Sequence, residues 1–138
     1  MSHQITKGEQ LYEGKAKVLY ATEDPDNLLL YFKDDATAFN KKKVGSWDGK
    51  GVANCRISSV LTTLVGRQGV PTHFVEMLSE REQLVKHVDI VPVEVVVRNF
   101  VAGSLARRLG MEEGAKLSKP FVEFYYKSDE LDDPMILF

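Results

Sequence analysis

A single cysteine, Cys55, among 138 residues has no internal disulfide partner, so no covalent framework holds this chain together. Its three histidines, His3, His73 and His87, are far apart and lack ligand-like spacing, which argues against a zinc site. Proline is sparse, at five residues, and no Pro/Ser-rich linker, low-complexity tract or internal repeat divides the sequence. No apolar run approaches the roughly 20 residues that span a bilayer, so no membrane partner is expected. Residues 1–8 are polar and carry no apolar signal core; a cytoplasmic home is the expectation. A surplus of charge is missing too: 18 Lys+Arg stand against 20 Asp+Glu, a net −2. That balance argues against a nucleic-acid platform and leaves small anionic ligands gripped by a few local lysines.

What is present is globular in proportion, at 43% hydrophobic and 28% charged, in a length that buries about two-thirds of the unfolded surface. Leu11, then Val18, Leu19 and Tyr20, with Gly14 between and a turn at residues 23–27 after them, predict an antiparallel hairpin extended by a strand from Leu28 to Lys33. Residues 34–49 lose periodicity and read as a mobile surface loop, with Trp47 anchoring its far end. From Lys50 to Gln68, Ile57, Val60, Leu61, Leu64 and Val65 follow helical spacing, closed by Gly66 or Gly69 and then Pro71. Thr72 to Leu78 reads as a strand. Ser79 and Glu82 have the form of a capping box, followed by a short helix or strand over residues 83–87. Ile90 to Val97 is a valine-rich run of the kind buried on both faces, Ala102 to Leu109 a short helix ended by Gly110, and Pro120 to Tyr126 a last strand. The fold class is α+β: an antiparallel, β-rich N-terminal lobe over residues 1–89 and the start of an α+β lobe over residues 90–138.

Three constellations carry chemistry. Lys15 and Lys17 sit two apart in the first hairpin, one face of a strand, beside Gly14, whose missing side chain admits a ligand's oxygens. The arrangement fits polyphosphate, and it also fits a solvated edge strand whose lysines discourage aggregation. Second, the strand carrying Glu94 delivers Arg98 to its end, just before Gly103 and Ser104 open a helix. Arginine's fork, amides and a hydroxyl make an anion site; a serine cap beside a structural ion pair is the alternative. Third, Lys127 precedes Asp129, Asp132 and Asp133, a cation beside oxygen ligands of the kind magnesium prefers, or simply an acidic tail. Cys55 reads as a small core residue, since no histidine is placed to activate it. Lys41, Lys42 and Lys43 fit a solvated loop face or a lid over phosphates.

Taken in order, Leu-Tyr-Glu-Gly-Lys-Ala-Lys (11–17), Lys-Asp-Asp-Ala-Thr-Ala-Phe-Asn (33–40), Gly-Val-Pro-Thr-His-Phe (69–74), Ile-Val-Pro-Val-Glu-Val-Val-Val-Arg-Asn-Phe-Val-Ala-Gly-Ser (90–104) and Phe-Tyr-Tyr-Lys-Ser-Asp-Glu-Leu-Asp-Asp-Pro (124–134) resemble the N-terminal portion of SAICAR synthetase, phosphoribosylaminoimidazole-succinocarboxamide synthase. The fourth string is similar to that family's first signature. The resemblance implies an ATP-grasp-like or kinase-like arrangement with ATP in a cleft between lobes. It implies a ligase of purine biosynthesis that uses ATP and Mg2+ to join L-aspartate to carboxyaminoimidazole ribonucleotide. By position it implies that Lys15, Lys17 and Lys127 face ATP phosphates, with Lys17 and Lys127 catalytic and Gly14 alongside. It places Ile90 and Val91 at the adenine hinge with Glu94 supporting that strand. Asp133 would hold magnesium, and Arg98, Gly103 and Ser104 the ribotide. The family's pattern continues through a second signature beyond residue 138, which leaves a non-catalytic ATP- or ribotide-binding fragment as the alternative. The apolar ending and the uncovered surface it implies lead to an expectation of self-association, as a homo-oligomer, or of marginal stability. A kinase-like phosphotransferase is a weaker fit, because no HRD-type or DFG-type loop is present.

Overall fold

The computed structural model describes residues 5–38 and 43–136. The chain divides into two compact units, Met1–Val88 and Asp89–Phe138.

In the first unit, β1 (Gln10–Glu13), β2 (Lys17–Ala21) and β3 (Asn27–Phe32) form the expected antiparallel meander. The turn after β2 closes through side chains: Thr22 donates to the Asp24 and Asn27 carbonyls, and Asp24 accepts from Asn27 Nδ2 at 2.6 Å. Two further strands, β6 (Phe74–Met77) and β7 (Glu82–Lys86), complete a five-stranded sheet of order β1-β2-β3-β7-β6. Residues 83–86 are thus strand rather than helix, and His87 follows the strand's end. Ser79 and Glu82 do bond, Oγ to Oε2 at 2.9 Å, but they close the hairpin turn instead of capping a helix. Residues 34–49 are also not a plain loop: β4 (Asp35–Ala38) pairs with β5 (Lys43–Ser46). Lys41 and Lys42 lie outside the described residues, as does the side chain of Lys43. Trp47 ties the end of this hairpin by its backbone, accepting from Lys50 N–H and donating to the Asp34 carbonyl, while its ring is 75% exposed.

Helix α1 (Lys50–Arg67) stands where periodicity places it, closed by Gly69 in the left-handed region at φ 83°. The face it buries is not the one its apolar spacing points to. Gly51, Cys55 and Ser59 lie inward against Leu28, Leu30, Phe32 and Val85, whereas Ile57, Val60, Leu61, Leu64 and Val65 are exposed. Small residues win the inner face because the helix approaches the sheet closely: a Cβ on Gly51 would stand 2.4 Å from the Phe32 carbonyl oxygen. The fully buried Gln83 then bonds the Cys55 carbonyl at 2.9 Å and Ser59 Oγ at 2.8 Å, threading a polar bridge between helix and sheet. Cys55 is the core residue expected, with burial raising its pKa above the usual thiol range.

In the second unit, β8 (Val93–Phe100) pairs antiparallel with β9 (Lys116–Tyr126), and α2 (Ser104–Leu109) ends at Gly110, φ 63°. Pro120 falls where the register shifts between Arg98 and Phe100, a position that spares the ladder a missing N–H donor. The valine run does not become a strand buried on both faces. Among the described residues β9 is its one neighbour in the sheet, Val95 and Val97 remain 56% and 59% exposed, and Val101 and Leu105 are the fully buried apolar side chains of this unit.

Candidate functional site

In the first unit, Gly14, Lys15 and Ala16 make the turn between β1 and β2, closed by a 2.8 Å bond from Gly14 N–H to the Lys17 carbonyl. Lys15 therefore lies in the turn and Lys17 opens β2, so the two lysines do not share a strand face; both are exposed at one end of the hairpin. A side chain at Gly14 would sit 3.2 Å from the Tyr12 ring. Lys17 Nζ stands 5.4 Å from the Phe32 ring centroid. Burial, with the Lys17 charge behind it, pushes His73 below the usual imidazole range. The neighbouring Lys33 is held between Glu13 at 2.6 Å and Asp35 at 2.5 Å.

Deeper in this unit, Asp34 accepts from both terminal nitrogens of Arg81 and from Gly51 N–H, each at 2.7 Å. The Arg81 fork and then the Gly51 amide hold its pKa down at about 2. A loop reading of residues 34–49 gave no reason to single Asp34 out.

In the second unit, Ile90 and Val91 precede β8 and are 81% and 73% exposed. Lys127 lies close by, its N–H donating to the Pro92 carbonyl at 2.9 Å. Its ammonium bonds Asp133 Oδ2 at 2.6 Å and approaches Glu94 at 3.4 Å, and the Asp133 contact, first, raises its pKa. Glu94 is exposed, not buried in the strand. Asp133 adopts φ 47°, a strained left-handed geometry for a non-glycine residue, and also accepts from Ser128 N–H at 2.9 Å. Among the described residues no cluster of three or more His, Cys, Asp or Glu is placed to hold a metal ion.

Arg98 donates through Nε to Glu123 at 2.5 Å, and its terminal nitrogens lie 3.3 Å from the Ala102 carbonyl and 3.4 Å from Ser104 Oγ. Sequence and structure agree in bringing Arg98 beside Ser104. Gly103 N–H, expected to face an anion, donates to Glu113 at 2.6 Å. The residue missed is Glu123. It is 3% exposed and accepts from Arg98, Arg108 and Tyr125. Its spacing of two from Tyr125 on β9 carries no motif, and only the fold joins it to α2 and β8.

Residues 10–138 match the model of the SAICAR synthetase family. The chain belongs to that family. A phosphoribosylaminoimidazole-succinocarboxamide synthase from Magnetococcus marinus is 64% identical over 132 residues, 96% of this chain and 54% of that protein. The crystal structure of the Ehrlichia chaffeensis synthase superposes with a TM-score of 0.91 at 46% identity, covering 94% of this chain and 54% of that one. A SAICAR synthetase solved in complex with ADP gives 0.89 at 47% identity, over 94% of this chain and 55% of that one. The chain thus spans about half the length of the SAICAR synthetases it matches. The mixed α/β architecture with antiparallel sheets is that of SAICAR synthetase. No described helix is long and apolar enough to cross a membrane.

Proposed function

We propose that this chain is the nucleotide-binding portion of an ATP-dependent ligase that joins L-aspartate to carboxyaminoimidazole ribonucleotide, giving SAICAR, ADP and phosphate in the cytoplasm. The observation that carries this reading is the family match over residues 10–138, joined by a relative solved with ADP whose fold covers 94% of the chain. Residues 1–89 are the β-rich lobe and 90–138 open the second, a division supported by the separation of compact units at Val88 and Asp89.

In this reading Lys15 and Lys17 meet ATP phosphates at the open end of the first hairpin, where Gly14 allows close approach. Ile90 and Val91 receive the adenine, with Glu94 supporting the segment through Lys127. A carboxylate oxygen of the ribotide attacks the γ-phosphorus and ADP leaves, giving an acyl phosphate. The aspartate amine then attacks the acyl carbon, an amide C–N bond forms, and phosphate departs with the electron pair of the broken C–O bond. Lys17 and Lys127 offset charge developing on the transferred phosphoryl group. Arg98, with Gly103 and Ser104, binds the anionic ribotide. Magnesium accompanies the nucleotide, but the described residues do not by themselves form a set to hold it. Asp133, expected as a ligand, is engaged by Lys127 and Ser128, so no step runs through it.

Coverage of about half of each relative favours a second reading, an ATP- or ribotide-binding fragment without turnover. Incubation of the purified chain with Mg-ATP, L-aspartate and the carboxylated ribotide separates the two. Succinocarboxamide product that Lys17→Ala abolishes supports the ligase; no product with ADP binding intact supports the fragment.

A further inference from the structure

Among the described residues Glu123 is the one buried carboxylate, and it sits in a two-stranded sheet whose apolar residues are largely exposed. Its two oxygens are divided between neighbours. Oε2 accepts from Arg98 Nε on β8 at 2.5 Å, and Oε1 accepts from Arg108 Nη2 on α2 and from the Tyr125 hydroxyl at 3.0 Å. Burying a carboxylate costs more than one surface ion pair returns, so two guanidinium groups converge on it and the cluster keeps one net positive charge.

The geometry at Arg98 is asymmetric. Its Nε is committed in a short, charge-assisted bond, which sets the plane of the guanidinium. Its terminal nitrogens make the long contacts, 3.3 Å to the Ala102 carbonyl and 3.4 Å to Ser104 Oγ, near the limit of hydrogen bonding. Glu123 spends one of arginine's five N–H donors and leaves the planar fork beside the Ser104 hydroxyl. Arg81, by contrast, spends both terminal nitrogens on Asp34.

We propose that Glu123 is a positioning residue that fixes the Arg98 guanidinium so that its terminal nitrogens, with Ser104 Oγ, receive an anionic group of the ribotide. Arg108 is the second cation that keeps this buried carboxylate ionised: burial drives its pKa up, but the bonds from Arg108 and Arg98 more than offset it and hold the group below the usual carboxylate range. The proposal rests on the assignment of Arg98 to the ribotide made above.

Calorimetric titration of the 138-residue chain with carboxyaminoimidazole ribonucleotide and, separately, with ADP tests it, using Glu123→Gln, Glu123→Asp and Arg98→Ala, each checked by circular dichroism melting. The expected result is a loss of about tenfold or more in ribotide affinity for Glu123→Gln, equivalent to about 1.4 kcal/mol, with ADP affinity kept within about twofold and partial recovery in Glu123→Asp. If Arg98→Ala weakens ribotide binding and Glu123→Gln does not, positioning is overturned while the Arg98 assignment stands. If Arg98→Ala has no effect, that assignment falls and takes the positioning role with it. Unfolding of Glu123→Gln, or a parallel loss of both affinities, makes Glu123 structural and also overturns the proposal.

Discussion

Arg81 grips Asp34 with both terminal nitrogens, Nη1 to Oδ1 and Nη2 to Oδ2, each at 2.7 Å, across 47 residues of sequence. The same Asp34 Oδ1 accepts from Gly51 N–H, so one carboxylate joins the end of β3, the β6–β7 turn and the start of α1. Asp34 titrates at about 2 in the folded chain, depressed below its ordinary 3.8. A depressed carboxylate contributes stability that is fully present above its unfolded pKa and lost as pH falls through its folded one. Denaturation midpoints should therefore decline between about pH 4 and about pH 2. Asp34→Asn should flatten that slope; an unchanged slope would remove Asp34 from the acid response.

The core claim of the first unit is equally direct. Phe32 is 1% exposed and packs with Leu30, Cys55 and Val85. Phe32→Ala should cost about 3–5 kcal/mol in urea denaturation. Gly51→Ala should cost about 1–3 kcal/mol, because its Cβ would meet the Phe32 carbonyl at 2.4 Å. A neutral Gly51→Ala would show that the helix and sheet are not closely opposed there.

Lys127 carries a raised pKa whose first cause is its bond to Asp133. Asp133→Asn should bring the ammonium titration, followed by NMR at Nζ, down toward the ordinary lysine value. No movement would mean that Asp133 does not govern Lys127. In the proposed site Lys127 meets the nucleotide phosphates and Asp133 bonds its ammonium, so Lys127→Ala should weaken ADP binding more than Asp133→Asn does.

Apolar runs bounded by turn residues located β1, β2, β3 and β8 in the sequence, and helical spacing located α1, because those signals are local. They failed where partners are distant. The apolar spacing of α1 named Leu61 and Leu64, yet closeness to β3 selected Gly51, Cys55 and Ser59 for the inner face. The polar stretch over residues 34–49 has no apolar periodicity, and that hid the β4–β5 hairpin. At the candidate site, Arg98 and Ser104 could be joined from sequence because they are six residues apart. Glu123 is 25 residues from Arg98 and reaches it through strand pairing alone. Lys15 and Lys17 were rightly placed in one hairpin, but the turn at Gly14 separates them from a common strand face.

The exposed stripe of Ile57, Val60, Leu61, Leu64 and Val65, together with Val95 and Val97, leads to an expectation of self-association. Sedimentation velocity should give a weight-average coefficient that rises with protein concentration, and Leu61→Lys with Leu64→Lys should reduce the rise. A monodisperse, sharply melting monomer would contradict this.

The most direct test of the account is calorimetric titration of the purified chain with ADP, beside Lys17→Ala. The account predicts saturable binding that Lys17→Ala weakens by about tenfold or more, about 1.4 kcal/mol. Absence of binding, or binding indifferent to Lys17, would contradict a nucleotide site in this portion of the SAICAR synthetase fold.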